Sequence, residues 1–333
     1  MEENLILEEV MECEEAFVLD KKVMKKDIKH VGWGLIWYTL INLFVVTIVI
    51  AAQTIIFEMS NAEGISLEEF MVNLENEGTS MIIGVFIGIL FLRFFMRKNV
   101  QKEMIFSENR KMTFRKFWQL LCIFMTAQFV FSLFASFMEM ALNAIGYSAM
   151  ESIEAATGGS QTISMFFYAS FVAPVVEELV YRGLIFRALR KYGKMFAIVT
   201  SSILFGVMHA NLPQIAFAMA VGFVLAYVTE EYSIKWAILL HIINNFVFAE
   251  LISLLGKFLG TEVGDVLNGL VIFGFFMAGC IVLWKNRAKV MAYFAENKEE
   301  QKKYVYAFTT VSVLLFVIFN LLVGISMIQP MSI

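Results

Sequence analysis

Residues 164–186 read SMFFYASFVAPVVEELVYRGLIF, an apolar run that contains Glu177, Glu178 and Arg182. About 20 predominantly apolar residues suffice to cross a bilayer as a helix. A charge at the bilayer centre costs roughly 2.5–3.5 kcal/mol or more on insertion scales. Two adjacent carboxylates inside such a run are therefore either paired internally or used chemically. The bland alternative is an ion pair that only locks two helices together.

The rest of the chain has the same character. Of 333 residues, 59% are hydrophobic and 17% charged, with a mean hydropathy of +0.72. A soluble domain is about half apolar and a quarter charged. The apolar runs are helix-length, not ten-residue alternating segments, which excludes an outer-membrane barrel. The chain is read as an all-α polytopic membrane protein with about nine transmembrane helices, at 33–57, 80–96, 117–138, 164–186, 196–210, 214–230, 236–254, 266–284 and 305–327. Residues 1–30 form a polar tail, 31–163 the first three helices and their loops, 164–255 a core of helices four to seven, and 256–333 the last two helices. The tail is acidic, then lysine-rich (Lys21, Lys22, Lys25, Lys26, Lys29), and lacks the short apolar core of a signal peptide.

Charge placement supports this division. Segments 1–30, 93–116, 182–194 and 285–303 hold five, eight, five and six Lys/Arg, all but two of the 26. The loops at 58–79 and 139–163 hold none. The positive-inside rule then puts the N-terminus in the cytoplasm and the C-terminus outside. Cys13, Cys122 and Cys280 are too scattered for a disulfide framework or a thiolate metal box.

Polar residues cluster in the core. Glu178 and Arg182 are four apart and share a helix face, so they can pair. Glu177 points about 100° away and is left free to act. Phe205 and His209 are again four apart, as are His241 and Asn245, with Asn244 on a neighbouring face. A His and an amide on one face can donate to a developing oxyanion. A lone membrane His or Asn is often only interhelical glue; a base, a second water-holding group and oxyanion donors on three successive spans supply what water attack on an amide requires. His30 reads as a surface residue, and Glu230 and Glu231 as solvated residues at the end of the sixth span. Pro174 is expected to kink the fourth helix and Pro213 to end the fifth.

At ~1.5 Å per residue, Glu177 lies roughly 10 Å below the basic face, and His241 and Asn245 roughly 8 and 14 Å. His209 comes out too deep, at roughly 20 Å. The fifth helix is therefore expected to start inside the bilayer or to run obliquely.

Glu177-Glu178-x-x-x-Arg182, Phe205-x-x-x-His209 and His241-x-x-x-Asn245 together resemble the signature of the CPBP family, the CAAX-processing and bacteriocin-processing (Abi-like) intramembrane proteases. The resemblance covers about 164–250 and implies a multi-helix membrane endopeptidase. By similarity, Glu177 activates water, His209 helps to hold it, and His241 and Asn245 stabilise the oxyanion. Glu178 and Arg182 give support and Phe205 shapes the pocket. A catalytic zinc held by Glu177, His209 and His241 is the alternative mechanism, although no HExxH helix is present; no obligatory metal is expected.

The expected partners are the lipid bilayer and a membrane-associated, lipidated or secreted peptide or protein substrate, with no nucleic acid. Two other readings share the same residues. One is a non-catalytic peptide-binding or immunity protein. The other is a transporter, against which the polar residues cluster in one third of the chain with no matching polar pair in another half.

Overall fold

The computed structural model describes residues 2–60, 65–157 and 159–331. All nine apolar stretches are helices, and the only strand pairing among the described residues joins Tyr147–Ser148 to Gln329–Pro330. Six helices are long and apolar enough to cross a membrane, or up to eight if each of two bent pairs counts as one span. One such pair, Gln301–Phe308 with Val311–Ser326, turns by 69° where a single ninth span was expected. The protein is an all-α, multi-pass membrane protein.

The fifth apolar stretch is the exception in length. It forms Lys194–Met208, 15 residues, or roughly 22 Å of helix against a hydrocarbon core of about 30 Å. The helix is too short to span, and His209 caps its end. The chain then reverses tightly through Ala210, which takes a left-handed φ of 48°. Asn211 caps the following helix, Leu212–Glu231, by accepting from the Gln214 N–H. Pro213 sits in the first turn of that next helix, where its missing N–H has no cost, so it starts a helix rather than ending one. Gly206 lets the two helices touch: a Cβ there would fall 2.7 Å from the Ile215 carbonyl oxygen.

The first helix is longer than expected, Glu2–Met59. The side chains of residues 2–20, including the apolar positions of the acidic tail, lie outside the described residues. From Lys21 onward the segment read as a solvated tail continues the first span, with Met24 and Ile28 buried. The reason is local. Nothing in 21–32 breaks a helix, and the apolar positions Met24, Ile28 and Val31 recur at three- and four-residue spacing.

Burial divides the bundle. Val180, Tyr181, Ile185, Phe186, Phe196 and Leu240 are wholly buried. Leu90, Phe258, Leu254 and Trp284 on flanking helices are largely exposed, as expected of lipid-facing positions.

The basic segments gather at one end. Asp27 accepts from Tyr192 (2.7 Å) and Asn99 (3.2 Å) and pairs with Lys191 (2.6 Å). Lys303 reaches the Tyr192 carbonyl at 2.8 Å. Glu230 and Glu231 lie here and are not solvated: both are 5% exposed. Their helix ends where cations from three other segments converge, so pairing replaces water. Glu139 and Glu250 at the opposite end are buried against loop donors, Ser148 with the Ala149 N–H, and Ser160.

Candidate active site

Glu177 and Glu178 lie on the continuous helix Ile163–Tyr192. It is not uniformly α-helical. Wider π-helical turns occupy Tyr168–Val172 and Leu179–Phe186, flanking the α-helical Ala173–Glu178. Such turns inside helices are rare and frequently mark functional sites. The kink expected at Pro174 takes this form. The Ala173 N–H reaches back five residues to the Tyr168 carbonyl. In that register the next carbonyl, Ala169, would need an N–H from Pro174, which has none. Asn245 supplies it: its Nδ2 donates to the Ala169 oxygen at 3.0 Å.

Glu178 is fully buried and doubly held. Its Oε1 lies 3.2 Å from Arg182 Nη1 and accepts from His241 Nδ1 at 2.9 Å. Arg182, also fully buried, donates through Nη2 to the Gly222 carbonyl at 3.0 Å and lies 4.2 Å from the Phe205 ring centre. Gly222 makes this possible, because a Cβ there would come 3.0 Å from Phe205 Cδ1 and 3.1 Å from Arg182 Nη2. The ion pair expected from the i, i+4 spacing is present, although Glu178 Oε2 and Arg182 Nε and Nη1 have no hydrogen-bond partner among the described residues, and it also anchors a histidine, which spacing on one helix could not reveal.

That anchoring fixes the imidazole. A carboxylate only accepts, so His241 Nδ1 carries a proton and Nε2 is turned towards Glu177, 3.8 Å from its Oε2. Glu177 makes no hydrogen bond among the described residues, and its side chain is 20% exposed, against 0% for Glu178.

His209 arrives from the short helix. Its Nδ1 donates to the Phe205 carbonyl at 2.9 Å, which leaves Nε2 for other work. It is close enough to feel the charges of Glu177 and His241. Phe205 is the hub: its ring meets His209 edge-on at 5.0 Å, His241 at 5.9 Å and Tyr181 at 5.3 Å between centres.

Asn245 is placed differently from the oxyanion donor the sequence suggests. Its Nδ2 is engaged at Ala169, and its Oδ1 accepts from Asn244 Nδ2 at 2.9 Å. Asn244 Oδ1 in turn accepts from Gln128 Nε2 at 2.8 Å. This amide chain steadies the helix that carries Glu177, and one Nδ2 hydrogen is left for a substrate. Both asparagines lie in a π-helical stretch, Ile243–Leu251.

Other groups near Glu177 went unnoticed in the sequence. Tyr38, Tyr168 and Tyr181 all lie within electrostatic reach of its carboxylate. Tyr168 could have been noticed as a polar tip inside the motif run. Tyr38 and Gln128 come from distant helices and carry no local signal.

No group of three His, Cys, Asp or Glu side chains among the described residues is arranged to hold a metal ion. His241 Nδ1 is committed to Glu178, and Glu177, His209 and His241 do not close into such a set.

Residues 159–247 match the family model described as "Type II CAAX prenyl endopeptidase Rce1-like". The core is thus similar to the CPBP family. The chain is also similar to the Bacillus subtilis (strain 168) protein named "Putative membrane peptidase YdiL", with 35% identity over 83 residues. That match covers 24% of this chain and 34% of the relative, so the chain spans about a third of the length of the curated relative it matches. No solved structure matches.

Proposed function

We propose that this protein is an intramembrane endopeptidase that hydrolyses a peptide bond of a membrane-associated substrate. The observation that carries the reading is the asymmetry of the glutamate pair. Glu178 is neutralised by Arg182 and holds His241, while Glu177 beside it is unpaired by hydrogen bonds among the described residues and partly accessible.

In this reading Glu177 takes a proton from water as the water oxygen adds to the scissile carbonyl carbon. The carbonyl π electrons move to oxygen, giving a tetrahedral oxyanion. His209 Nε2 helps to hold the attacking water. In this step His241 carries a proton on both nitrogens: Nδ1–H stays on Glu178 and Nε2–H donates to the oxyanion, with the remaining Nδ2 hydrogen of Asn245 as a second donor. As the oxyanion collapses, the C–N bond breaks and Glu177 passes its proton to the leaving nitrogen. A positioned acid/base is worth on the order of 10²–10⁴ in rate. The substrate's apolar anchor would lie in the bilayer, with the basic end of the bundle on the cytoplasmic side.

The test uses the full chain in proteoliposomes with a farnesylated C-terminal peptide and an unmodified amphipathic peptide. Wild type should cleave at least one of them, Glu177→Gln should not, and cleavage should survive a chelator. Turnover by Glu177→Gln, or tight binding without turnover by the wild type, overturns the catalytic reading. Loss of activity on chelation with recovery on zinc addition overturns the metal-independent step.

A further inference from the structure

A second site lies on the first helix, away from the glutamates. A cavity of about 810 Å³ opens between the first helix and the end of Thr79–Phe95, lined by Lys26, Lys29, His30, Trp33, Trp37 and Lys98 among others. Asp27 also borders it, but that carboxylate is taken up by Lys191, Tyr192 and Asn99. Lys26, Lys29 and Lys98 are exposed and form no ion pair among the described residues. The cavity is therefore a positive site with its one acid already neutralised. It is also built rather than loose: His30 stacks on Phe95 at 4.1 Å between ring centres and donates through Nε2 to the Phe95 carbonyl at 3.1 Å.

A wholly apolar groove of about 250 Å³ meets this cavity at Trp33, which borders both. Its walls include Ile36 and Leu40 of the first helix and Leu315 and Phe319 of Val311–Ser326. Lys26 and Lys29 stand just before the first apolar span and Lys98 just after Thr79–Phe95, with the tryptophans at the edge of the first span and the groove one to two turns further in. Tryptophan favours the headgroup level of a bilayer, and lysines beside it attract anionic lipid.

We propose that this pair of cavities binds one anionic phospholipid, with its phosphate among Lys26, Lys29, Lys98 and His30 and an acyl chain passing Trp33 into the groove. A soluble phosphate would leave the groove unused, and a neutral lipid would leave three cations unmatched. The site is separate from the glutamate pair, so its occupancy does not depend on the proposed peptidase activity.

The experiment is native mass spectrometry of the full chain in detergent, with added dioleoylphosphatidylglycerol or dioleoylphosphatidylcholine, and with inorganic phosphate as competitor. Wild type should retain the anionic lipid in clear preference to the zwitterionic one, and phosphate should not displace it. Each lysine is worth about a fivefold preference for an anionic headgroup, so Lys26→Gln/Lys29→Gln/Lys98→Gln should lose on the order of a hundredfold. Arg287→Gln/Lys289→Gln, which neutralises two exposed cations elsewhere, should keep the preference. The substituted lysines are exposed, and an unchanged unfolding curve without lipid checks that each variant folds. Equal retention of the two lipids, displacement by phosphate, a preference that survives the triple substitution, or an equal loss in the Arg287/Lys289 control would each overturn the proposal.

Discussion

Two pairs of adjacent glutamates lie on core helices, Glu177 with Glu178 and Glu230 with Glu231, and the two are treated differently. Both carboxylates of the second pair are saturated. Glu230 takes a two-pronged contact from Arg190 (2.9 and 2.7 Å), and Glu231 meets Lys194, Arg110 and the Tyr293 hydroxyl, each at 3.1 Å. In the first pair Glu178 is held through Oε1 by Arg182 and His241, while its buried Oε2 has no hydrogen-bond partner among the described residues. Glu177 has His241 Nε2 at 3.8 Å and three tyrosines within electrostatic reach. The helices differ too. Glu230 and Glu231 end a regular α-helix, while Glu177 and Glu178 lie between two π-helical turns. A buried carboxylate surrounded by cations fastens segments together; one left short of partners is available for proton transfer.

The largest test of that contrast is activity. Glu177→Gln keeps the shape but cannot take a proton, so peptide cleavage should fall by on the order of 10²–10⁴ with thermal unfolding little changed. Glu230→Gln should leave cleavage per folded molecule near wild type. A variant pattern the other way round, with Glu230→Gln inactive and Glu177→Gln active, breaks the comparison.

The anchored half of the reactive pair should respond in stability. Glu178→Ala leaves Arg182 as an uncompensated buried charge, at a cost of about 3–5 kcal/mol. Adding Arg182→Met should recover much of that stability but not activity, because His241 loses its anchor either way. Detergent unfolding curves beside cleavage rates separate the two effects. Full recovery of cleavage in the double variant would show that Glu178 does not orient His241.

Much of this contrast could be read from the chain alone, and the part that could not has a physical cause. Spacing of three and four residues predicted the Glu178–Arg182 pair and placed Glu177 off its face, because both are properties of one helix. The depth estimate singled out His209, which caps the short helix Lys194–Met208. Glu230 and Glu231 were misread because their partners, Arg110, Arg190, Lys194 and Tyr293, come from segments far apart in sequence. The same blindness hid Tyr38 and Gln128. Asn245 looked like an oxyanion donor on spacing, and its link to Ala169 depends on a π-helical turn that no periodicity in 168–172 announces.

The fastening pair should show a smaller effect than the reactive one. Glu230→Gln removes the charge that Arg190 grips, but Arg190 is 36% exposed and water replaces part of what is lost. The expected cost is about 1.5 kcal/mol, the low end for a hydrogen bond to a charged group. It should appear as a modest fall in unfolding temperature that high salt partly masks in the wild type. A loss as large as that of Glu178→Ala would place both pairs in the same class.

The smallest effect concerns the backbone beneath Glu177. If Asn245 replaces the N–H that Pro174 lacks, the two residues are energetically coupled. Asn245→Ala alone strands the Ala169 carbonyl, a cost of about 1–3 kcal/mol for an unsatisfied buried acceptor. In a Pro174→Ala background the new backbone N–H can reach that carbonyl, so the same substitution should cost less. The coupling in a double-mutant cycle is expected to be about 1 kcal/mol. Cleavage rates of the four proteins then divide the role of Asn245. If it only steadies the helix, Pro174→Ala/Asn245→Ala recovers activity along with stability. If its remaining Nδ2 hydrogen also meets the oxyanion, stability returns and the rate does not. Zero coupling in stability would sever Asn245 from Pro174 and leave the irregular helix under Glu177 supported by something else.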